Sequence, residues 1–175
     1  MSDEVQSSVN EPQGISKFYY SIADFNILLE SGIKTEIIEK QDVFPIPHAP
    51  IWCQGMISLR GKLIPVVNLH KLLKDSKQIK SNWLLILEKE PYPQLAIRID
   101  RLPQQQLLND PDTDRVDSQQ LPMWLKTKIS VDSKTLYEAN HTELFEQIIQ
   151  ENETSSINTA EPQTNPNPDS SGNDS

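Results

Sequence analysis

The apolar residues of this chain fall in short runs, rich in β-branched and aromatic side chains, that turn signals interrupt every few positions. Such runs are typical of β-strands, whereas an amphipathic helix needs apolar residues three and four positions apart over a longer stretch. The runs lie at 17–22, 25–30 and 33–40, at 83–99 as a hairpin around Pro91 and Pro93, and at 128–139 as a hairpin around Asp132 and Ser133. Many short strands at close spacing predict a mainly β protein, built as a barrel or a sandwich.

Two helical signals are local. Residues 68–75 place leucines on one face over about two turns. Residues 140–150 give a stronger signal, because Asn140 or Thr142 can cap the start and apolar residues then recur at helical spacing. We expect a short helix in the middle of the chain and a C-terminal amphipathic helix that packs on a sheet.

The net charge of −9 comes almost entirely from the two ends of the chain. Residues 1–14 and 151–175 contain acidic residues but neither Lys nor Arg, while all sixteen basic residues lie in 15–150. The last segment consists mainly of Asn, Ser, Thr, Pro and acids, so it cannot bury enough surface to offset an ordering entropy of roughly 1–2 kcal/mol per residue. We therefore predict disordered tails at 1–14 and 151–175 around one folded domain at 15–150.

The composition disfavours several classes of protein. A nucleic-acid-binding protein needs a clustered excess of Lys and Arg, which this chain lacks. The chain has no apolar run of about 18 residues for direct membrane insertion, and its start lacks the basic and apolar parts of a signal peptide. The single cysteine, Cys53, excludes an internal disulfide and fits a reducing compartment. We expect a cytoplasmic protein in which Cys53 is a small buried thiol.

Sequence motifs for catalysis or metal binding are absent. The histidines at 48, 70 and 141 are far apart, and none has the HxxxH or HExxH spacing of a zinc site. The segment 108–122 reads as a polar loop with four aspartates, but it lacks the glycine and the closing glutamate of a calcium loop. We predict no metal, no cofactor and no catalytic residue. A small enzyme with a hidden acid/base pair stays open, since the folded part has many carboxylates.

The stretch GMISLRGKLIPVVNL at 55–69 combines features that are rare in the rest of the chain. It predicts two strands joined at Arg60-Gly61, because Gly61 supplies the positive φ angle that a tight hairpin turn requires. Pro65 cannot donate a ladder hydrogen bond, so the second strand is expected at a sheet edge or with a bulge. Arg60 would present five donors beside exposed backbone, either for recognition or as a solvated side chain.

Residues 43–73, VFPIPHAPIWCQGMISLRGKLIPVVNLHKLL, resemble the signature of CheW-like chemotaxis coupling proteins. The shared features are a proline-rich lead-in, a glycine, an apolar pair, Arg-Gly, Ile-Pro-Val-Val and a helix that ends in leucine. The flanking elements come in the same order, with an aromatic hairpin and IKTEIIEK before the signature and the WLLILE to LAIRIDRL hairpin after it. The resemblance covers 15–110 well and is thinner over 111–150.

This resemblance implies an all-β fold of two SH3-like five-stranded barrel lobes that share an apolar core, with a short helix after the first motif and a C-terminal helix. It also implies a non-catalytic adaptor, which couples the cytoplasmic hairpin tip of a chemoreceptor to the regulatory domain of a CheA-type histidine kinase. The positions that match receptor-binding residues are Gly55, Met56, Ile57, Arg60 and Gly61. Those that match kinase-binding residues are Thr35, Ile37 and Glu39.

The sequence departs from the family pattern at several positions. Asn68 and Asn140 stand where the family has aspartate, and Ala96 and Arg98 occupy a strand that usually contains a glycine. These differences suggest a diverged branch, such as the couplers of type IV pilus, or twitching, signalling arrays. A small OB-like barrel that binds a ligand or single-stranded nucleic acid is the alternative interpretation of the strand pattern.

Overall fold

The computed structural model describes residues 14–75, 81–109, 112–115 and 121–157. The helices are α1 (Leu69–Leu72) and α2 (His141–Ile157). The strands are β1 (Ile15–Ile22), β2 (Phe25–Leu28), β3 (Lys34–Glu39), β4 (Cys53–Leu59), β5 (Lys62–Val67), β6 (Trp83–Glu88), β7 (Leu95–Ile99), β8 (Arg101–Leu108), β9 (Asp112–Arg115), β10 (Leu125–Val131) and β11 (Lys134–Ala139). The predicted mainly β class is confirmed.

The strands of the described residues form two sheets, which we call lobe 1 and lobe 2. Lobe 1 has five strands in the order β3-β6-β7-β5-β4, and lobe 2 has six in the order β8-β1-β2-β11-β10-β9. Neighbouring strands are antiparallel except for β5 beside β7 and β11 beside β2. The two-lobe prediction is confirmed, and β9 adds one strand to the five expected in lobe 2.

Buried apolar side chains form three clusters among the described residues. One lies within lobe 1 around Ile57 and Ile64, and another within lobe 2 around Tyr19 and Leu136. The largest spans both lobes and both helices, and it includes Tyr20, Ile22, Ile27, Trp52, Val67, Leu69, Leu85, Leu87, Ile97, Trp124, Leu144 and Phe145. Because fully burying one such aliphatic side chain contributes about 1.5–3 kcal/mol, this shared cluster holds the lobes together.

Two strands lie where the sequence pattern did not predict them. β8 has the sequence RLPQQQLL and pairs with β1. β9 pairs with β10, so the prediction of a polar loop at 108–122 is wrong over Asp112–Arg115. A ladder is made from backbone groups, so a polar segment can pair beside an existing strand without any apolar alternation of its own.

Pro65 lies inside lobe 1, because β5 has β4 on one side and β7 on the other. Of the two expectations, the edge position is therefore wrong, and the register shift of this hairpin lies on β4 and not on the strand of Pro65. Met56 lies opposite Pro65 and directs its backbone N–H and C=O outward to Phe44, so Met56 and Pro65 exchange no hydrogen bond. The parallel ladder with β7 begins only at Val66. The missing N–H of Pro65 therefore interrupts neither ladder.

Helix α2 continues past its predicted end at residue 150 and reaches Ile157. Gln147 donates to Glu151 one turn later at 2.8 Å, and contacts of this spacing support a helix whose last turns carry few apolar residues. The first turns of the predicted acidic tail are thus helical. The rest of the two predicted tails, 1–13 and 158–175, lies outside the described residues.

The two lobes repeat one arrangement. β4, β5 and α1 correspond to β10, β11 and α2, and in both hairpins a register shift follows the first residue of the first strand. The residue before each helix donates its N–H to a tryptophan carbonyl, Asn68 to Trp52 and Asn140 to Trp124. Identical residues recur at one constant separation along the chain, as in Pro50 and Pro122, Trp52 and Trp124, Ile57 and Ile129, Ser58 and Ser130, Lys62 and Lys134, and Asn68 and Asn140.

Each lobe is assembled from both halves of the chain. In lobe 1, the hairpin β6–β7 from the second half joins β3, β4 and β5 from the first. In lobe 2, the hairpin β1–β2 from the first half joins β8, β10 and β11 from the second. Equivalent strands occupy equivalent places in the two sheets. The fold is therefore two copies of one unit that have exchanged their first hairpins.

The start of α2 buries a histidine. His141 is fully buried, its Nε2 lies 3.4 Å from the Tyr20 hydroxyl, and its Nδ1 lies 3.7 Å from a Glu30 carboxylate oxygen. Burial lowers the pKa of His141 to about 4, while Glu30 acts to raise that pKa and Lys89 to lower it. The imidazole is therefore neutral at pH 7. Leu69 occupies the equivalent place at the start of α1 and is also fully buried.

We expect the protein to lose stability as the pH falls from about 6.5 toward 4. In this range the unfolded chain protonates at His141 and the folded chain does not, so the free energy of unfolding should fall by up to roughly 3 kcal/mol. Urea denaturation at several pH values between about 7 and 5, where most carboxylates stay ionised, measures how the free energy of unfolding depends on pH. His141→Leu, which places the residue of Leu69 at the equivalent position, should make this dependence weaker. An unchanged pH dependence in the variant would exclude His141 as its source.

Candidate protein-binding surface

The hairpin β4–β5 turns at Arg60 and Gly61, whose φ angles are 50° and 78°. Two successive positive φ angles are typical of the type I′ hairpin turn. Glycine adopts this region readily, whereas a residue with a Cβ is held there at a cost of roughly 1–2 kcal/mol. Asp132 and Ser133 turn the β10–β11 hairpin in the same way. Arg60 is therefore kept at the tip of the hairpin in a conformation that asparagine or glycine would adopt more easily.

Arg60 closes lobe 1 through Glu36. Its Nη1 and Nη2 donate to the two carboxylate oxygens of Glu36 at 2.8 and 2.5 Å. Glu36 lies on β3, and β3 and β4 are the outer strands of the sheet, which would be roughly 19 Å apart if the sheet were flat. The sheet must therefore curl until its two edges approach. Lobe 2 has the corresponding contact, in which Gln106 of β8 donates to Asp132 at 3.0 Å.

The pair of Arg60 and Glu36 is charge-assisted and open to solvent. The Arg60 side chain is 72% exposed. The hydrogen bond from Arg60 lowers the pKa of the Glu36 carboxyl, and that carboxylate raises the pKa of the guanidinium. Glu36 accepts from two of the five guanidinium donors and fixes their orientation. A second carboxylate can therefore bind Arg60 without displacing Glu36.

The side chains of β3 that the sequence assigns to kinase binding lie on the outer face of that strand. Alternation along β3 places Thr35, Ile37 and Glu39 on one face. Ile38, on the opposite face, packs on the cluster inside lobe 1. The face that carries Ile37 therefore points out of the lobe, and Ile37 is 44% exposed there. β3 is an outer strand of its sheet, so this face lies at an edge.

Gly55 lies where the segment before β4 meets the sheet. Phe44 and Met56 exchange two backbone hydrogen bonds of 2.8 and 2.9 Å, which add the Phe44 backbone to the edge of β4. Gly55 has a φ angle of +131°, and a Cβ at this position would clash with the Phe44 carbonyl oxygen. A glycine is therefore required at 55 both for its backbone conformation and for the close approach of Phe44.

An apolar strip crosses the outer face of β4 and β5, formed by Phe44, Met56, Leu63 and Pro65. Phe44 lies opposite Met56, and Met56 lies opposite Pro65, so their side chains share one face. Leu63 belongs to the same face because it lies two residues from Pro65. Phe44 is 60% exposed and Leu63 is 69% exposed. The strip ends beside the turn that carries Arg60.

The structure divides the predicted receptor-binding set into surface and supporting residues. Ile57 lies on the inner face of β4 and is fully buried in the cluster of lobe 1. Met56 is partly exposed and Arg60 is exposed. The two glycines, Gly55 and Gly61, set the course of the backbone. The structure thus places Met56 and Arg60 together at the surface, with the other three members behind or between them.

Two surface residues, Phe44 and Leu63, are absent from the predicted set. Leu63 could have been found from the sequence, because alternation puts it on the face opposite to Ile64. Phe44 could not, because its place depends on the bridge to Met56, and that contact between a proline-rich segment and a strand leaves no periodic signal.

The sequence model of the CheW-like domain family matches residues 35–136, which is more than half of the chain. The chain belongs to the CheW-like domain family. The match includes the apolar strip, Arg60 and Glu36, and it leaves β1, β2 and α2 of this CheW-like chain outside it.

Two CheW chemotaxis proteins are similar over shorter segments. The protein from Treponema pallidum is 52% identical over 40 residues, which are 23% of this chain and 23% of that protein. The protein from Thermotoga maritima is 36% identical over 69 residues, which are 38% of this chain and 44% of that protein. The matched segments therefore span less than half of either relative.

The crystal structure of the scaffolding protein TtCheW from Thermoanaerobacter tengcongensis has a similar fold. The TM-score is 0.63 at 20% sequence identity, over 75% of this chain and 88% of that chain. At this identity the comparison supports the fold of the CheW-like chain.

Within 14–75, 81–109, 112–115 and 121–157, no group of three or more His, Cys, Asp or Glu side chains could hold a metal ion. None of the helices in that part of the chain is long and apolar enough to cross a membrane. Cys53 is partly buried, with Sγ 3.8 Å from the Gly55 carbonyl oxygen.

Gly55→Ala should destabilise the CheW-like fold by roughly 3 kcal/mol or more, because the new methyl group meets the Phe44 carbonyl in a backbone conformation that already disfavours it. Gly61→Ala is the matched control. Its φ is also positive, but a Cβ there meets no atom of the described residues within 4 Å, so we expect a loss of about 1–2 kcal/mol. Urea denaturation of both variants measures the difference, and equal losses would exclude the Phe44 contact as the cause.

Proposed function

We propose that this CheW-like chain is a non-catalytic adaptor that couples a methyl-accepting chemoreceptor to a CheA-type histidine kinase. The observation that carries the proposal is that two exposed surfaces, the apolar strip and the outer face of β3, lie at the two edges of one curled sheet. Arg60 and Glu36 join those edges directly. The similar proteins, two chemotaxis proteins and one scaffolding protein by name, support this role.

We assign the apolar strip and Arg60 to the receptor. The cytoplasmic tip of a chemoreceptor is a helical hairpin, and a helix binds through an apolar face laid on an apolar surface. Phe44, Met56 and Leu63 offer such a surface. Arg60 lies at its end and can fix the register of the helix by binding a receptor carboxylate. The other members of the predicted set support this surface from behind: Gly55, Ile57 and Gly61.

We assign the outer face of β3 to the regulatory domain of the kinase. β3 is an outer strand of its sheet, so another domain can pack on the side chains of this face at the edge of the lobe. Ile37 provides an apolar contact at the centre of the strand, and Thr35 and Glu39 flank it with polar groups. The kinase domain itself has a CheW-like fold in this family, so contact between two lobes is the expected mode.

The shared sheet accounts for coupling without a chemical reaction. A receptor contact that moves Arg60 also moves Glu36, and Glu36 lies on the strand whose other face we assign to the kinase. Small shifts of packed elements of this kind are a recognised form of signal transfer. The same role places the folded unit, residues 15–150, at the cytoplasmic face of a receptor array. Asn68, Arg98 and Asn140 favour a diverged branch, such as a type IV pilus pathway.

Arg60→Ala should weaken binding of a purified chemoreceptor hairpin from the same organism by at least about tenfold, because it removes a charge-assisted contact. Isothermal titration calorimetry measures the affinity, and circular dichroism checks that the fold is retained. Lys62→Ala is the matched control, since it removes one positive charge from the same hairpin. If Arg60→Ala and the control both bind like the parent, Arg60 has no part in the receptor contact.

Ile37→Asp should weaken binding of the kinase regulatory domain by at least about tenfold and leave receptor binding unchanged, because a charge replaces the central apolar contact of β3. Met123→Asp, which puts the same charge at an exposed apolar position of lobe 2, should change neither affinity. A loss of receptor binding in Ile37→Asp would argue against two separate surfaces.

A further inference from the structure

Two carboxylates lie where the chain crosses from one lobe to the other. Glu30 follows β2 of lobe 2 and precedes β3 of lobe 1. Asp100 stands alone between β7 of lobe 1 and β8 of lobe 2. The two crossovers run in opposite directions, as the exchange of hairpins requires, and each carries an acidic side chain that binds groups from other elements.

Glu30 joins the turn of one hairpin to the start of α2. One carboxylate oxygen accepts the backbone N–H of His141 at 2.9 Å. The other pairs at 2.5 Å with Nζ of Lys89, which lies between β6 and β7. Burial acts to raise the pKa of Glu30, but the bonds from Lys89 and His141 lower it below its ordinary value, so the carboxylate is ionised at pH 7. A negative charge at this end of a helix is also favoured by the helix dipole.

Asp100 makes the corresponding contacts at the other crossover. One carboxylate oxygen accepts the backbone N–H of Ala23, in the β1–β2 turn, at 2.5 Å. The other lies 3.1 Å from Nε2 of His70 in α1. The backbone N–H of Asp100 donates to the Ser21 carbonyl at 2.9 Å. The Asp100 side chain is only 2% exposed, so these partners compensate a charge that water scarcely reaches.

The internal repeat makes the two sets of contacts equivalent. The β6–β7 turn corresponds to the β1–β2 turn, and α2 corresponds to α1. Glu30 therefore ties a turn of lobe 1 to α2, which follows β11 of lobe 2, and Asp100 ties a turn of lobe 2 to α1, which follows β5 of lobe 1. Lobe closure has its own contacts, Arg60 with Glu36 and Gln106 with Asp132. The carboxylates at the crossovers act between the lobes.

We propose that Glu30 and Asp100 are a pair of interlobe latches that fix the angle between the two lobes. The cluster shared by the lobes is apolar, and apolar burial is non-directional, so it holds the lobes together without setting one orientation. Hydrogen bonds and ion pairs depend on distance and angle and do set an orientation. With one latch broken, the other still restricts the angle between the lobes. With both broken, the shared cluster and the hydrogen bond from Tyr92 to Glu146 at 2.8 Å remain, and the lobes sample a wider range of angles. The two latches belong to the free chain, and they do not depend on the proposed receptor or kinase.

The test is a pulsed electron paramagnetic resonance measurement of the distance between the lobes of the free full-length protein. Cys53→Ala removes the native thiol, and spin labels are placed by Ser58→Cys and Ser130→Cys, which are exposed, equivalent positions on β4 and β10. Glu30→Gln and Asp100→Asn keep the shape of each side chain and remove its charge. We expect the double variant to give a distance distribution roughly twofold broader than the parent, with each single variant between them.

Glu36→Gln is the matched control, because it weakens a contact within lobe 1 and should leave the distance distribution unchanged. Hydrogen exchange of the two single variants gives a local measurement that does not require the double variant to fold. We expect faster amide exchange at the start of α2 in Glu30→Gln and at Ala23 in Asp100→Asn. Faster local exchange with an unchanged distance distribution would show two local stabilising contacts and overturn the proposal. Broadening in Glu36→Gln of the same size would overturn it as well.

Discussion

The apolar cluster shared by the two lobes is the constraint on which the rest of the structure depends. This cluster contains side chains from both sheets and both helices. Each lobe also includes one hairpin from the other half of the chain. A sheet must bury at least one face, and here each lobe also covers part of the outer face of the other. The apolar strip and the outer face of β3 are among the parts of lobe 1 that stay exposed.

The internal repeat gives the two lobes the same backbone arrangement but different side chains at equivalent positions. Lobe 1 closes through Arg60 and lobe 2 through Asp132, at the same place in the two hairpins. The pair formed by Lys128 and Tyr137 in lobe 2 stands where lobe 1 has two members of the apolar strip. The backbone arrangement is thus common to both lobes, while the side chains on it differ in charge and polarity. Among the described residues, the apolar strip and the pair of Arg60 and Glu36 are therefore features of lobe 1 that lobe 2 does not repeat.

The sequence pattern predicted the elements whose own residues specify them. The strands at 17–22, 33–40 and 83–99 carry β-branched and aromatic residues, and the turn at Arg60-Gly61 requires a positive φ angle. β8 and β9 were missed because they pair through backbone groups without an apolar alternation. The surface positions of Met56 and Arg60 could be predicted from strand alternation and the turn, whereas the exposure of Phe44 depends on a contact outside the hairpin.

The sequence by itself determined that the chain is mainly β, that it turns tightly at Arg60-Gly61 and that it resembles one adaptor family, because strand propensity, turn geometry and a local signature are each encoded within a few neighbouring residues. Only the tertiary structure decided which hairpin joins which lobe, that Glu36 meets Arg60, and that Glu30 and Asp100 stand at the crossovers. These facts depend on the pairing of distant strands, and pairing partners are chosen by the burial of whole faces, which no short segment of the sequence specifies.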